Sequence, residues 1–249
     1  MKMPLNSCYT LEICVDSPKT IFAAASIADR IELCTGLELG GLTPDYGLMV
    51  SAAECGVETH VLIRACAGDF CMNNEELATA STNIRLARQL GLKGVVIGAE
   101  RAGKLDLRAL EHMVKAADGL DMTLHRVIDV VDDPITALSE VVELGFTRIL
   151  TSGGKPTALE GIDGLRRLHE AADNKIEIMV GGGIKSANLP DLLAHTGLTS
   201  FHASCSVETP VINPRQGFGF GQSERKFDLA EATSLAALLR ANVPSRQQK

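Results

Sequence analysis

The 249-residue chain is 45% hydrophobic but only 4% aromatic and has no Trp, so its core must be built from aliphatic side chains and alanine. Its formal charge of −7 argues against nucleic acid or an anionic membrane as the main partner, while leaving room for a local patch that binds a small anion. No apolar run approaches the length of a membrane span, residues 1–10 lack the apolar stretch of a signal peptide, and seven scattered cysteines read as reduced thiols of a cytoplasmic protein.

Taken in chain order, strand patterns fall at residues 10–15, 30–34, 59–64, 94–99, 122–125, 148–152, 176–181 and 200–204, with helical stretches between them. Helical spacing is clearest at 75–90, where Leu77, Ile84, Ala87 and Leu90 recur, and at 135–144. Asp133 caps and Pro134 opens the second of these helices, and Gly91 and Gly145 sit where the two should stop. Eight strands, each followed by helix or loop, predict a single-domain α/β fold over 1–249, a (β/α)8 TIM-type barrel. An open doubly wound sheet is the alternative, and the lack of a GxGxxG turn after the first strand counts against it. The Gly- and Pro-rich segment around 206–226 reads as a mobile loop after the eighth strand.

The first two strands repeat one signature, Glu12-Ile13-Cys14 and Glu32-Leu33-Cys34. Alternation puts each acid and its thiol on one face and the aliphatic residues on the other. Applied along the chain, it turns residues such as Leu11, Ile13, Ile31, Val61, Ile178 and Val180 toward covering helices. The opposite set points into the barrel: Glu12, Cys14, Arg30, Glu32, Cys34 and His60, then Leu62, Arg64, Thr123, His125, Ser200, His202 and Ser204. Members at the C-terminal strand ends ring the mouth, where barrel active sites lie.

Three chemistries follow. Glu12, Glu32 and His125 are candidate acid–base residues, with Asp129 near enough in sequence to orient His125. Arg64 and Arg126, with Ser152, Gly181, Gly182, Gly183, His202 and Ser204, are candidates to hold a small anionic or sugar-like substrate. Cys14 and Cys34, on neighbouring strands about 4.8 Å apart, suit a soft ion such as Cu(I), with Cys205 as a possible third ligand. The competing interpretation makes Glu12, Arg30 and Glu32 an internal ion-pair lattice and the cysteines small buried apolar groups.

The segments 11–17, 28–34 and 40–44, together with Ile63-Arg64, Gly68-Asp69-Phe70, His125-Arg126, Ile149–Gly153, Gly181–Gly183 and Phe201-His202, resemble the CutC copper homeostasis family. They run in order over most of the chain. The resemblance implies a cytoplasmic barrel, usually a homo-oligomer (dimer or tetramer), with a role in copper tolerance, trafficking or Cu(I) binding. Where that family often continues Arg64 with Pro-Arg, this chain has Ala65-Cys66, losing a cation from the mouth and gaining a thiol.

Overall fold

The computed structural model describes residues 9–210 and 223–242. Eight parallel strands close into a barrel in sequence order: β1 (Thr10–Val15), β2 (Arg30–Leu33), β3 (Glu58–Leu62), β4 (Gly94–Ile97), β5 (Asp121–Leu124), β6 (Arg148–Thr151), β7 (Glu177–Val180) and β8 (Ser200–Ala203). The eighth pairs with the first, so no edge is left and the open-sheet alternative is excluded. Around it lie α1 (Pro18–Ala25), α2 (Tyr46–Glu54), α3 (Asn74–Gln89), α4 (Leu107–Ala117), α5 (Pro134–Glu143), α6 (Ile162–Ala172), α7 (Leu189–Thr196) and α8 (Leu229–Ala241). No described helix is long and apolar enough to cross a membrane.

Local chemistry accounts for the helix ends. Asn73 and Glu76 form a reciprocal capping box, and Asp133 accepts from the Ile135 and Thr136 amides ahead of Pro134. Gly91 and Gly145 follow the two helices with φ of 74° and 82°, a conformation that costs glycine nothing.

Packing follows the alternation. The outward aliphatics of the strands join the inner faces of the helices in one continuous apolar shell. Inside the barrel a small apolar group, Cys14, Cys34, Leu62 and Val96, together with Leu150 and Met179, lies among the charged side chains. Two short ribbons depart from the sequence expectation. Glu100–Arg101 pairs with Lys104–Leu105, and Ser206–Pro210 pairs antiparallel with Ser223–Phe227. The loop expected around 206–226 is thus a paired ribbon at both ends; residues 211–222 lie outside those described.

Candidate functional site

At the floor of the barrel, Arg30 of β2 donates through Nε to Glu12 Oε2 of β1, both side chains almost wholly buried. Across the interior, Arg148 of β6 donates to Glu177 of β7 at 2.9 Å and to Thr123 of β5 at 3.1 Å. Burial alone would push Glu12 toward its neutral form. The Arg30 guanidinium and the His202 contact overcome that and hold its carboxyl well below the ordinary range. The site expectations did not include Arg148 and Glu177, although alternation within their strands carried the signal.

The other oxygen of Glu12 looks upward. It lies 2.7 Å from Nδ1 of His202, whose Nε2 is 3.7 Å from Glu32 Oε2. Burial disfavours charge on this imidazole, but Glu32 and Glu12 outweigh it and raise the His202 pKa. Burial and the negative charge of Glu12 raise the Glu32 pKa, against the pull of His202. Two carboxylates pushed in opposite directions across one imidazole give a fixed counter-charge and a proton carrier.

Beside this row, the sulfurs of Cys14 and Cys34 are 3.4 Å apart. The Cys34 contact, burial and the nearby Glu32 raise the Cys14 pKa well above that of a free thiol, so Cys14 rests protonated. Cys14 Sγ, a Glu32 oxygen and a His202 nitrogen all lie within 4.8 Å of one another, a mixed donor set for a metal ion. Cys205 does not join it. This residue packs in the outer apolar shell, and burial with Glu231 and Asp228 nearby pushes its thiol up to about 12.

Higher in the mouth, Arg64 is held by backbone carbonyls: Nη1 donates to Leu39 and Gly41, and Nη2 to Gly68. Its guanidinium also lies 5.4 Å from the Phe70 ring centre. Among the described residues, Arg64 has no carboxylate within ion-pair range and its buried Nε has no hydrogen-bond partner. His125 stacks on Phe70 at 4.7 Å, and its Nδ1 accepts from the Val127 amide. Burial, then the Arg64 charge, lowers the His125 pKa to about 3, so the ring is neutral and carries its proton on a buried, unpartnered Nε2. Gly98 beneath it is required, since a Cβ there would stand 2.3 Å from the ring.

Asp129 does not orient His125, contrary to expectation. It instead accepts from Arg126 Nε at 2.8 Å, the Thr151 and Ser152 hydroxyls, and the Ser152 and Gly154 amides. Arg126 and Ser152 do come together, 2.5 Å apart, but around this internal carboxylate, which fills the anion nest they would offer a ligand. The Gly181 amide is likewise spent on the Thr151 carbonyl. Gly182, Gly183, His202 and Ser204 line the open cavity with Cys14, Glu32, Arg64 and His125, whereas Glu12 and Cys34 stand behind its wall. The cavity volume is about 930 Å³.

The model of the CutC family matches residues 9–207. A CutC protein of Caulobacter vibrioides is 45% identical over 211 residues, covering 84% of this chain and 86% of its own. One from Agrobacterium fabrum is 44% identical over 238 residues, covering 93% and 94%. A crystal structure from Streptococcus agalactiae, described as a candidate copper homeostasis protein CutC, superposes with a TM-score of 0.75 at 32% identity, covering 79% of this chain and 98% of that one. Motif, barrel and relatives agree: the chain belongs to the CutC family.

Proposed function

We propose that this protein serves copper homeostasis by holding Cu(I) at the barrel mouth between Cys14 and Cys34. The observation that carries this reading is the 3.4 Å contact between the two sulfurs. Metal–sulfur bonds of about 2.3 Å span about 3.8–4.0 Å between sulfurs at trigonal or tetrahedral angles, and about 4.6 Å when linear. The pair therefore suits a three- or four-coordinate ion after a few tenths of an ångström of movement, with His202 or Glu32 as further donor. Soft thiolates select Cu(I) over harder cations. Because Cys14 rests protonated, binding releases protons and affinity rises with pH. A reducing, cytoplasmic setting agrees with six free thiols among the described residues. Anaerobic Cu(I) titration against a chromophoric competitor should give tight one-to-one uptake, lost in the Cys14→Ser/Cys34→Ser double variant. Wild-type stoichiometry in that variant removes the pair as the site.

A second reading, an enzyme acting on a small anionic or sugar-like compound, is favoured by the cavity itself. A space of about 930 Å³ far exceeds one ion and matches small-molecule pockets. Arg64 brings it a buried cation with no carboxylate in ion-pair range among the described residues, and His202 and Glu32 bring it proton-transfer groups with Glu12 as the counter-charge behind them.

A further inference from the structure

The opposite end of the barrel holds a second cluster of metal-binding groups that the mouth does not use. Glu58 and His60 are two residues apart on β3 and so share its inward face, and Asp121 begins β5. The strand between them carries Gly94, in register with both His60 and Asp121. A Cβ at position 94 would stand 2.6 Å from the His60 ring, so glycine is what lets the imidazole lie across β4 toward Asp121. One atom from each of Glu58, His60 and Asp121 lies within 4.8 Å of the other two.

His60 supplies the independent sign of a ligand. The residue is 0% exposed, yet neither ring nitrogen has a hydrogen-bond partner among the described residues. Its Nε2 approaches Glu58 Oε1 at 3.2 Å without hydrogen-bond geometry. Buried polar atoms left unsatisfied are costly, and an imidazole nitrogen within 4.8 Å of two carboxylates is satisfied by a cation held among them. The neighbouring Arg30, 3.8 Å from Glu58, is already paired with Glu12. Lys93 lines the adjoining cavity on the floor of the barrel but makes no ion pair among the described residues.

We propose that Glu58, His60 and Asp121 form a divalent transition-metal site of the zinc class, closing the floor of the barrel. Imidazole with two carboxylates suits Zn2+ or Co2+ better than Cu(I), which prefers sulfur. Bonds of about 2.0–2.1 Å place tetrahedral donors about 3.3–3.4 Å apart. The present spread closes to that by swinging the rim side chains of Glu58 and Asp121, which solvent already reaches. Active sites of such barrels lie at the other end, so an ion here would tie strands together rather than serve the mouth. The inference is independent of the copper reading.

The test uses the intact chain, stripped with chelator and titrated with Co2+ alone while the visible spectrum is followed. An ion bound by nitrogen and oxygen shows ligand-field bands without the sulfur-to-cobalt charge-transfer band that the Cys14 site would give. Asp121→Ala and Glu58→Ala should each weaken this binding by more than roughly tenfold, and Cys14→Ser should leave it unchanged. Zn2+ should raise the melting temperature of the wild type and not of Asp121→Ala. Undiminished binding in both rim variants, a spectrum dominated by sulfur, or no Co2+ bound by the wild type overturns the proposal.

Discussion

The two ends of this barrel interior handle buried charge in opposite ways. At the floor, Arg30 and Arg148 each meet a carboxylate, Glu12 and Glu177, with hydrogen bonds that use their geometry. At the mouth, among the described residues, the Arg64 side chain meets carbonyls and a ring but no carboxylate, and His125 keeps a buried Nε2 without a hydrogen-bond partner. A satisfied pair is what strand-to-strand stability requires; an unsatisfied donor in a cavity wall waits for a ligand. Within one face of one sheet, partner count therefore separates Arg30 and Arg148 from Arg64 and His125, although all four are buried. On the floor, Ser200 Oγ and both His60 nitrogens depart from this pattern, and His60 is the one that lies beside two carboxylates.

Cutting the floor lattice should have the largest effect. Glu12→Gln leaves buried Arg30 with only the more distant, partly exposed Glu58 in ion-pair range among the described residues, so unfolding in urea should show a loss of roughly 3 kcal/mol. Since folding depresses the Glu12 pKa, its stabilisation is present above the ordinary carboxylate range and is lost as pH falls through the folded value. The variant should therefore also have a flatter acid limb than the wild type. A loss below about 1 kcal/mol would mean that the lattice contributes no more than a surface ion pair.

At the mouth the order should reverse. Arg64→Met removes bonds to three carbonyls but unpairs no carboxylate, so its stability cost should be smaller, about 1–3 kcal/mol. Ligand effects should be large. Sulfate or phosphate should raise the melting temperature of the wild type and do nothing for the variant. Without the Arg64 charge, the second cause of its depression, the His125 pKa should climb from about 3 when followed by NMR. An unchanged anion response would assign Arg64 to packing alone.

The barrel was legible because alternation is strict: one residue's slip would have turned Glu12 and Cys14 toward the helices, and the register keeps them inside. Strand limits differed by one or two residues, as at 59–64 against Glu58–Leu62, because the last inward residues, such as Arg64, already bond to loops. What sequence could not give was the partner of each polar group. Asp129 is close to His125 along the chain, yet the short 3-10 turn Arg126–Asp129 carries it across to the Thr151–Gly154 loop. Cys205 lies just beyond the inward Ser204, but its backbone, with φ of 44°, sets the thiol in the outer shell. Local sequence fixes a side chain's face; the choice among neighbours on that face is made by three-dimensional packing.

The smallest expected change in stability lies where the two regimes meet. Glu32 shares its imidazole with Glu12, but folding raises its pKa, so its ionised form is disfavoured in the native state. Its contribution is therefore greatest below an unfolded pKa of about 4.3 and is lost as pH rises through the higher folded value. His202, also raised, adds stability present below about 6.5 and lost as pH climbs through its own folded value. Glu32→Gln removes the first cost and weakens the second gain, so at pH 7 it should stay within about 1 kcal/mol of wild type. Relative to wild type, it should look steadily better as pH increases. The same variant tests how the proposed Cu(I) site is completed. If Cys14 and Cys34 need a carboxylate as third donor, Cu(I) affinity falls by more than roughly tenfold while stability barely moves. If His202 completes the site, affinity holds, and only His202→Ala lowers it.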